Sequence, residues 1–550
     1  MNPTLRPISD VASDLGLTPD DFEFFGPLKA KFALPAQNRL RASAKKGKLV
    51  LVTAISPTPA GEGKTTTTIG LAMGLWRLGV KAVPSLREPS LGPVFGVKGG
   101  ATGGGRSMVH PMADINLHFT GDMHAITSAN NLIAAVIDNH IQSGNALGIE
   151  PRSVTWKRCL DMNDRVLRKI ITGLGGRSEG VPSESGFEIT AASEVMATLC
   201  LAESLSDLKV RLARTVIGAN RENEPVTVGE LGIAGALTAL LREAFRPNLV
   251  QTTEGTPAIL HGGPFANIAH GCCSVQATRL ALALGDICVT EAGFAADLGA
   301  EKFLDIKMRQ SGLSPDAAVL VATIRALKWH GGVAKKEDLA SESVEAVEKG
   351  FANLQRHAEN LQKFGLPVIV AINRFTADTD AEIAALTALC ERAGLPIALC
   401  DGWARGGEGA EELAKLVLQT LESSPATFKP LYEEKFSLKA KIETIAREIY
   451  RADGVDFAPD ALRKLKYLTR RGFGTLPVCV AKTQYSFSDD PDARNAPTGF
   501  RITIRDAKLS AGAGFVVAYA GTLMTMPGLP PTPSAVNIDC DDDGNITGLF

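Results

Sequence analysis

Residues 47–79 constrain the fold of this 550-residue chain more than any other segment. They begin with GKLVLVTAISP, a short apolar run rich in β-branched residues, which is typical of a buried strand. GKTTTTIGLAMGLWRLG follows, with apolar residues at helical spacing as far as Gly79. A strand joined to a helix by a glycine-containing loop is the first unit of a parallel α/β sheet.

Further strand patterns alternate with helical ones along the chain. The strand candidates are 257–263, 285–294, 317–324, 366–373 and 395–401. Helical patterns at 337–364 and 378–393 separate some of them. This alternation predicts an α/β fold with a doubly wound, mostly parallel sheet, and the GKT that ends the first glycine loop makes the predicted core P-loop NTPase-like.

A chain of this length is too long for one compact core. We predict an α/β core from residues 1–150 and 250–358, interrupted by an inserted, mainly helical lobe at 151–249. A further α/β domain is predicted over 359–550, where FRITIRD and GFVVAYAG indicate strands near the C-terminus.

Composition narrows the class of protein. Net charge is −2, so nucleic-acid binding has no bulk electrostatic support. The uncharged stretches 255–278 and 509–538 are broken by Gly, Pro, Asn or His, and neither is predicted to span a membrane. The nine cysteines show no C-x-x-C spacing, and the first residues show no export signal. We therefore expect a cytoplasmic protein with reduced thiols.

The loop before the first predicted helix resembles a nucleotide-binding loop with one substitution. In the pattern G-x-x-x-x-G-K-[ST], Gly63, Lys64 and Thr65 match, but Thr58 replaces the first glycine. Lys64 can reach the β- and γ-phosphates and Thr65 can hold Mg²⁺, whereas a plain glycine turn would carry neither group. The predicted nucleotide-binding residues are Thr58, Pro59, Ala60, Gly61, Glu62, Gly63, Lys64 and Thr65.

Two later strand ends support nucleotide chemistry. Glu291 ends the apolar strand ICVTE and could position Mg²⁺, although a capped strand end explains it equally well. VIVAINRFTAD resembles a guanine-reading motif, but Thr376 stands where the aspartate would be, which favours ATP over GTP.

An anion site is predicted next to the nucleotide. Arg87 follows the predicted strand KAVPS, at the edge where such sheets bind ligands, and its guanidinium can hold a carboxylate or phosphate by two hydrogen bonds. Lys98 lies among six glycines in GVKGGATGGG, a segment that suits close backbone approach to a ligand or, alternatively, a flexible linker. ATP beside a small anion suits a ligase that activates a carboxylate.

Two stretches, GVKGGATGGGR and VATIRALKWHGG, make the interpretation specific. They resemble the signature stretches of the formate–tetrahydrofolate ligase (10-formyltetrahydrofolate synthetase) family. The first departs from the family pattern at Thr102, commonly alanine, and at Arg106, commonly tyrosine. The resemblance continues through TPAGEGKTTTTIGL, FTGDMHAIT, HGGPFANIAHG, VTEAGFAADLGAEKF, AKTQYSFSDDP and LSAGAGF, and so covers nearly the whole chain.

This resemblance implies a reaction and roles for several residues. Members of the family join formate to tetrahydrofolate with ATP, through formyl phosphate. By motif match, Lys64 would hold the transferring phosphoryl group, Thr65 would serve Mg²⁺, and Arg87 would hold formate and then formyl phosphate. The core predicted above would then bind nucleotide and formate, and the domain beyond residue 359 would contribute the folate site.

The resemblance also implies a folate platform. The family stacks the pterin between two aromatic rings, and the matching positions are Phe375 and Trp403, which sequence alone would assign to local packing. Lys98 would neutralise either the intermediate or the folate glutamate tail. Activation by a monovalent cation (K⁺ or NH₄⁺) and a homotetramer are further expectations from the family.

Two other classes of protein compete with this assignment. A ligase that phosphorylates a carbamate would share the loop but would not need Phe375 and Trp403. A partition or positioning ATPase would need a basic surface or an amphipathic tail, and the sequence shows neither.

Two motifs look like metal sites, but we do not predict that either binds a metal. His261 and His270, near Cys272 and Cys273, do not have common zinc-ligand spacing and are predicted to be core residues. DCDDDG at 539–544 copies the start of a calcium loop, but we predict a turn. We do not predict a serine hydrolase.

Overall fold

The computed structural model describes residues 5–42, 47–59, 61–97, 102–335, 337–521 and 523–549. The strands up to residue 150 are β1 Phe22–Phe24, β2 Ala30–Phe32, β3 Lys48–Ala54, β4 Ala82–Leu86, β5 Gly103–Gly104 and β6 Ser107–His110. The α-helices of this part are α1 Ile8–Asp14, α2 Leu34–Arg41, α3 Lys64–Arg77, α4 Leu91–Phe95, α5 Met112–Asn116 and α6 Asp122–Gln142.

The next hundred residues carry short elements. The strands are β7 Arg158–Leu160, β8 Ile170–Thr172, β9 Ser183–Ser185, β10 Phe187–Ile189, β11 Val216–Ala219 and β12 Pro225–Thr227. The α-helices are α7 Glu194–Leu201, α8 Leu205–Ala213 and α9 Ala234–Leu240. The region predicted to be mainly helical therefore also contains strand pairs, which are too short to give a clear period in the sequence.

The chain then returns to the large sheet. The strands are β13 Asn248–Thr252, β14 Pro257–Leu260, β15 Ile287–Glu291, β16 Ala317–Ala322, β17 Val368–Asn373 and β18 Ile397–Cys400. The α-helices are α10 Val275–Leu284, α11 Arg309–Ser311, α12 Ile324–His330, α13 Val344–Lys363, α14 Asp380–Arg392, α15 Gly402–Arg405 and α16 Glu411–Ser423. π-helical turns occupy Ala296–Ala300 and Phe303–Met308.

The C-terminal part has its own small sheets. Its α-helices are α17 Leu438–Ile445 and α18 Pro459–Leu468. Its strands are β19 Gly454–Phe457, β20 Val478–Ala481, β21 Arg501–Ile504, β22 Asp506–Ser510, β23 Phe515–Tyr519, β24 Asp539–Cys540 and β25 Ile546–Thr547. β20, β23 and β22 form a three-stranded sheet, and β19 pairs with β21.

A twelve-stranded sheet dominates the molecule, in the order β1-β2-β13-β14-β4-β15-β3-β16-β17-β18, with β6 and β5 joined to β13. The seven strands from β14 to β18 along this order are parallel. The mixed α/β class and the large, mostly parallel sheet are thus confirmed. The domain boundaries stay a prediction, but the central sheet continues past residue 359, because β17 pairs with β16 and β18 pairs with β17.

Helices cover both faces of this sheet, which explains the continuous apolar runs of its strands. Along β3, Val50 and Val52 belong to the same core cluster as residues of α3 and α16. Leu49 and Leu51 belong to the cluster on the other face, which includes residues of α10 and α13. The central strands are therefore buried on both sides.

All of the predicted central strands are present, and one helix differs from prediction. The pattern at 337–364 predicted a single helix, but α13 begins at Val344. Ser343 is its N-cap and accepts a hydrogen bond from the N–H of Ala346, which fixes the start of the helix after a separate turn at Glu337–Ala340.

Parallel pairing brings the carboxyl ends of seven strands to one edge of the sheet, where α/β proteins bind ligands. Across the described ranges, no helix combines the length and apolarity needed to cross a membrane.

Candidate active site

The loop between β3 and α3, residues 55–63, is called the phosphate loop here after the sequence motif that it carries. Two of its glycines have left-handed backbone conformations. Gly61 has φ of 78° and Gly63 has φ of 69°. A Cβ atom at position 63 would lie 2.2 Å from Nδ2 of Asn373, the last residue of β17. Backbone conformation and packing both require glycine at this position. The helix that follows begins at Lys64, and the first N–H groups of a helix are suited to bind an anion.

Thr58 has a structural partner inside the loop. Oε1 of Glu62 accepts hydrogen bonds from the N–H of Thr58 at 2.6 Å and from its hydroxyl at 2.8 Å. The hydroxyl of Thr323, after β16, donates to Oε2 of the same carboxylate. A glycine at position 58 would offer the N–H alone, so the substitution adds a second donor to a buried acid.

Glu62 is fully buried, and burial raises the pKa of its carboxyl group. The charge of Arg325 and the hydrogen bonds from Thr323 and Thr58 partly counteract that shift by favouring the ionised form. Arg325 also donates a hydrogen bond to the carbonyl of Gly61. Residues after β16 therefore hold the phosphate loop at two successive positions.

Glu291 contacts two other predicted site residues, Thr65 and Arg87. Its Oε2 accepts a hydrogen bond from the Thr65 hydroxyl at 2.7 Å, and its Oε1 lies 3.3 Å from Nη2 of Arg87. The Glu291 side chain is 4% exposed, whereas that of Arg87 is 28% exposed. A hydroxyl and a carboxylate together are the hard oxygen ligands that Mg²⁺ prefers, so the residues fit the predicted ion.

Arg87 follows the end of β4, and its guanidinium lies close to the backbone at Gly293. A Cβ atom at Gly293 would lie 3.0 Å from Nη1 of Arg87 and 2.6 Å from the Cβ of Ala266. The small residue therefore leaves room for the guanidinium. Nε of Arg87 is buried and makes no hydrogen bond to a described residue.

Phe375 lies two residues beyond β17 and is partly buried. Its N–H donates to the Asp378 carboxylate at 2.8 Å. The guanidinium carbon of Arg325 lies 4.1 Å from the centre of its ring. One face of the ring is thus covered by a cation.

Trp403 lies in α15, just past β18, and is 55% exposed. A Cβ atom at Gly104 would lie 3.3 Å from Cδ1 of the indole, and one at Gly105 would lie 2.8 Å from Cγ. The N–H of Arg106 donates to the Trp403 carbonyl at 2.8 Å. The glycines of the first signature stretch therefore allow the backbone to reach the indole, and Arg106 contributes a main-chain contact.

The structure thus brings Thr65, Arg87 and Glu291 into contact and places Phe375 and Trp403 at the same edge of the sheet. Pro59 is exposed in the loop. Ala60 and Lys98, which were also predicted to belong to the site, lie outside the described residues.

Sequence reasoning did not assign roles to Thr323, Arg325 and Asn373. Nδ2 of Asn373 donates to the Glu62 carbonyl at 3.1 Å, so all three contact the phosphate loop. A usable signal was present, because each follows or ends a predicted strand of the same parallel sheet.

The residues set aside as metal ligands have other surroundings. His261 is a core residue, as predicted, with Nδ1 2.6 Å from the Ser274 hydroxyl and Nε2 2.6 Å from the Ala244 carbonyl. Burial lowers the pKa of His261 to about 4 and that of His270 to about 3. Over the described part of the chain, no group of three His, Cys, Asp or Glu side chains is arranged to hold a metal. Asp541 accepts hydrogen bonds within the predicted C-terminal turn.

Comparison with known proteins adds independent findings. The model of the family "Formate--tetrahydrofolate ligase" matches residues 1–550. The formate–tetrahydrofolate ligase of Symbiobacterium thermophilum is 60% identical over 547 residues, which cover 99% of this chain and 98% of that protein. Among solved structures, Helicobacter pylori folylpolyglutamate synthetase aligns over 82% of this chain and 77% of its own, at 10% identity. The TM-score of that alignment is 0.21, too low to support any inference. The family match over the whole chain and the 60% identity show that this chain belongs to the formate–tetrahydrofolate ligase family.

Proposed function

We propose that the carboxyl edge of the central sheet joins formate to tetrahydrofolate with ATP, through a formyl phosphate intermediate. The observation that carries the proposal is the position of Glu291, whose two oxygens contact Thr65 of the phosphate loop and Arg87 of the anion site. A nucleotide phosphate and a small carboxylate can therefore meet at one buried acid.

The chemistry explains why both sites are needed. The carbon of formate is deactivated by charge and resonance, and its oxygen is a poor leaving group. Attack of a formate oxygen on the γ-phosphorus releases ADP and gives a mixed anhydride. The N10 amine then attacks the formyl carbon, the carbon–oxygen bond to phosphate breaks, and N10 loses a proton. Positioning and charge stabilisation are the main tasks of the protein in both steps.

The phosphate loop would hold the nucleotide in the P-loop manner. N–H groups at the start of α3, made accessible by Gly61 and Gly63, would bind the phosphates. Lys64 would neutralise the transferring phosphoryl group. Thr65 and Glu291 would hold Mg²⁺, which supplies charge neutralisation on the β- and γ-phosphates when bound.

Arg87 would hold formate and then the acyl phosphate. A guanidinium can bind a carboxylate through two parallel hydrogen bonds. The contact between Nη2 and Glu291 fixes one end of the group, and the buried Nε has a donor to offer. The same charge would then serve the phosphate of the intermediate.

Phe375 and Trp403 would bind the pterin by stacking. Arg325 covers one face of the Phe375 ring, so the opposite face is the one available. Trp403 is exposed enough to receive a ligand. Lys98 is proposed to neutralise either the intermediate or the folate glutamate tail.

Three further properties are proposed from the family resemblance. A monovalent cation, K⁺ or NH₄⁺, would activate the enzyme, and the chain would assemble as a homotetramer. A cytoplasmic location suits the nine cysteines, which are all free thiols.

The proposal is tested by incubating the protein with MgATP, potassium formate and tetrahydrofolate, then acidifying and measuring methenyltetrahydrofolate by absorbance. Product should require all three substrates and should be nearly lost in Arg87→Ala. Arg152→Ala, at a 91% exposed side chain, is the control and should match the wild type. ATP hydrolysis that ignores formate, or that responds to DNA or lipid, would refute the assignment.

A further inference from the structure

Arg325, in the stretch VATIRALKWHGG, contacts both the phosphate loop and Phe375 but has no role in the function proposed above. We infer that Arg325 is a positioning residue that couples the phosphate loop to the aromatic platform at Phe375. The inference rests on the proposed function, because it assigns the folate to that platform.

A single guanidinium touches both parts of the site. It donates through Nη2 to the carbonyl of Gly61 in the phosphate loop. Its central carbon lies 4.1 Å from the centre of the Phe375 ring. The loop and the ring therefore share one planar group, and neither can shift far without breaking one of the two contacts.

The backbone that carries Arg325 is fixed relative to the same loop. Thr323 caps α12 by accepting a hydrogen bond from the N–H of Ala326 at 3.1 Å, and its hydroxyl donates to the Glu62 carboxylate. Arg325 is the second residue of this helix. The guanidinium is thus held from a rigid helix start instead of a free loop.

The strand that leads to Phe375 also contacts the phosphate loop directly. Asn373, two residues before Phe375, donates through Nδ2 to the Glu62 carbonyl at 3.1 Å. The carbonyls of Gly61 and Glu62 therefore each accept a hydrogen bond from a side chain beyond β16 or within β17. A change in the loop when nucleotide binds is expected to reach Phe375 through both contacts.

Arginine is suited to this position and lysine is not. The planar guanidinium can lie flat on an aromatic face while its edge donates a hydrogen bond sideways. A lysine ammonium is compact and would keep one contact or the other. Arg325→Lys thus preserves the charge near Glu62 and removes the connection.

Coupling between two binding sites is reciprocal at equilibrium. Arg325→Lys is therefore expected to weaken the binding of MgADP and of tetrahydrofolate together, with each Kd about tenfold higher, and both KM values should rise as a result. Its kcat at saturation should fall much less. The readouts are both KM values from the methenyltetrahydrofolate assay and the Kd of MgADP from calorimetry.

Arg494→Lys is a matched control, because Arg494 covers an aromatic ring carried by the same helix, α12. The Arg494 guanidinium lies 3.4 Å from the centre of the Trp329 ring, near the far end of α12. This variant disturbs a similar contact that involves neither Gly61 nor Phe375, and it should leave both KM values unchanged. Equal effects of the two variants, or a change in the ATP KM alone with Arg325→Lys, would overturn the inference.

Phe375→Ala separates this inference from the proposed function. It should weaken MgADP binding in the wild-type background, and it should have little further effect in the Arg325→Lys background. Unchanged MgADP affinity in Phe375→Ala would overturn the coupling even if the enzyme makes product. If the wild type made no product, the proposed function would fail, while the calorimetric comparison would still decide the coupling.

Discussion

Arg87 and Glu291 form an ion pair, with 3.3 Å between Nη2 and Oε1, at the ends of the neighbouring parallel strands β4 and β15. Thr65 occupies the second oxygen of the same carboxylate at 2.7 Å. One buried acid thus orients the Arg87 guanidinium and the hydroxyl at the start of α3. We therefore expect activity to depend more on the negative charge of Glu291 than on the size of its side chain.

Glu291→Gln tests that charge. The glutamine oxygen could still accept from Thr65, so we expect a folded protein with kcat lowered about a hundredfold or more, because an oriented charge in the site is lost. Titration with Mg²⁺ should show a higher requirement for the ion. Glu411→Gln is the control, since Glu411 pairs with Arg77 at the other end of α3, 2.7 Å away. An unchanged Mg²⁺ requirement in Glu291→Gln would exclude the metal role.

Gly63→Ala tests the phosphate loop. Gly63 and Gly79 both have positive φ, but a Cβ atom at 63 meets Asn373, whereas none of the described atoms lies within 4 Å of one at 79. Each alanine should cost about 1–2 kcal/mol of stability because of its backbone conformation. Only Gly63→Ala should also raise KM for ATP, by about tenfold or more, because the helix start must move. Denaturant unfolding and steady-state kinetics on both variants check this, and similar ATP KM values would contradict it.

Trp403→Ala tests the folate platform. Trp403 is 55% exposed, so its removal should change stability little. Loss of ring stacking should raise KM for tetrahydrofolate up to about tenfold while KM for ATP stays constant. Trp403→Phe should restore much of the affinity. If the phenylalanine variant were as weak as the alanine one, stacking would not be the contribution of this residue.

Glu194→Gln tests a pH dependence of stability. Glu194 is buried at the start of α7 and accepts a hydrogen bond from the N–H of Gly512 at 2.7 Å. Burial raises its pKa from 4.5 to about 7, against the effect of that hydrogen bond. The folded state therefore binds the proton more tightly than the unfolded state does. Its contribution to stability is complete below about pH 4.5 and is lost as the pH rises to about 7.

Glutamine at this position removes the ionisation. The free energy of unfolding of Glu194→Gln should fall less between pH 5 and pH 8 than that of the wild type, by up to about 3 kcal/mol. Urea unfolding at several pH values measures this difference. Glu345→Gln, at an exposed side chain, is the control and should follow the wild-type curve. Parallel curves for Glu194→Gln and the wild type would show that Glu194 does not titrate in this range.

The central strands could be predicted from the sequence because they are buried on both faces. β16 is apolar throughout, β3 and β17 are apolar except at Lys48, Thr53 and Asn373, and a glycine loop with GK[ST] marks the start of α3. Their order in the sheet could not be predicted, because pairing depends on contacts that no local pattern reports. The continuation of the sheet from β16 to β17 and β18 is the clearest example.

Sequence reasoning named the motif and strand-end residues of the candidate site, whose ligand roles stay predictions, and it missed the residues that support the phosphate loop. Lys64, Arg87 and Glu291 follow motifs or strand ends, so their positions are visible in one sequence. The bond from Thr323 to Glu62 joins residues 261 positions apart. Burial of Glu62, which makes that bond necessary, is a property of the folded state alone.

The order of strands in the central sheet also fixes the distance between Arg87 and Phe375 across the sheet. Neighbouring strands are about 4.8 Å apart, so the strand before Arg87 and the strand before Phe375 are separated by about four such steps. The strand of the phosphate loop, β3, lies midway between them. The flanks proposed to bind the acid and the pterin thus lie on opposite sides of the strand that leads into the proposed nucleotide loop. We expect that substitutions near the ends of β4 and β15 can change the size of the acid that is accepted without changing the affinity for the pterin.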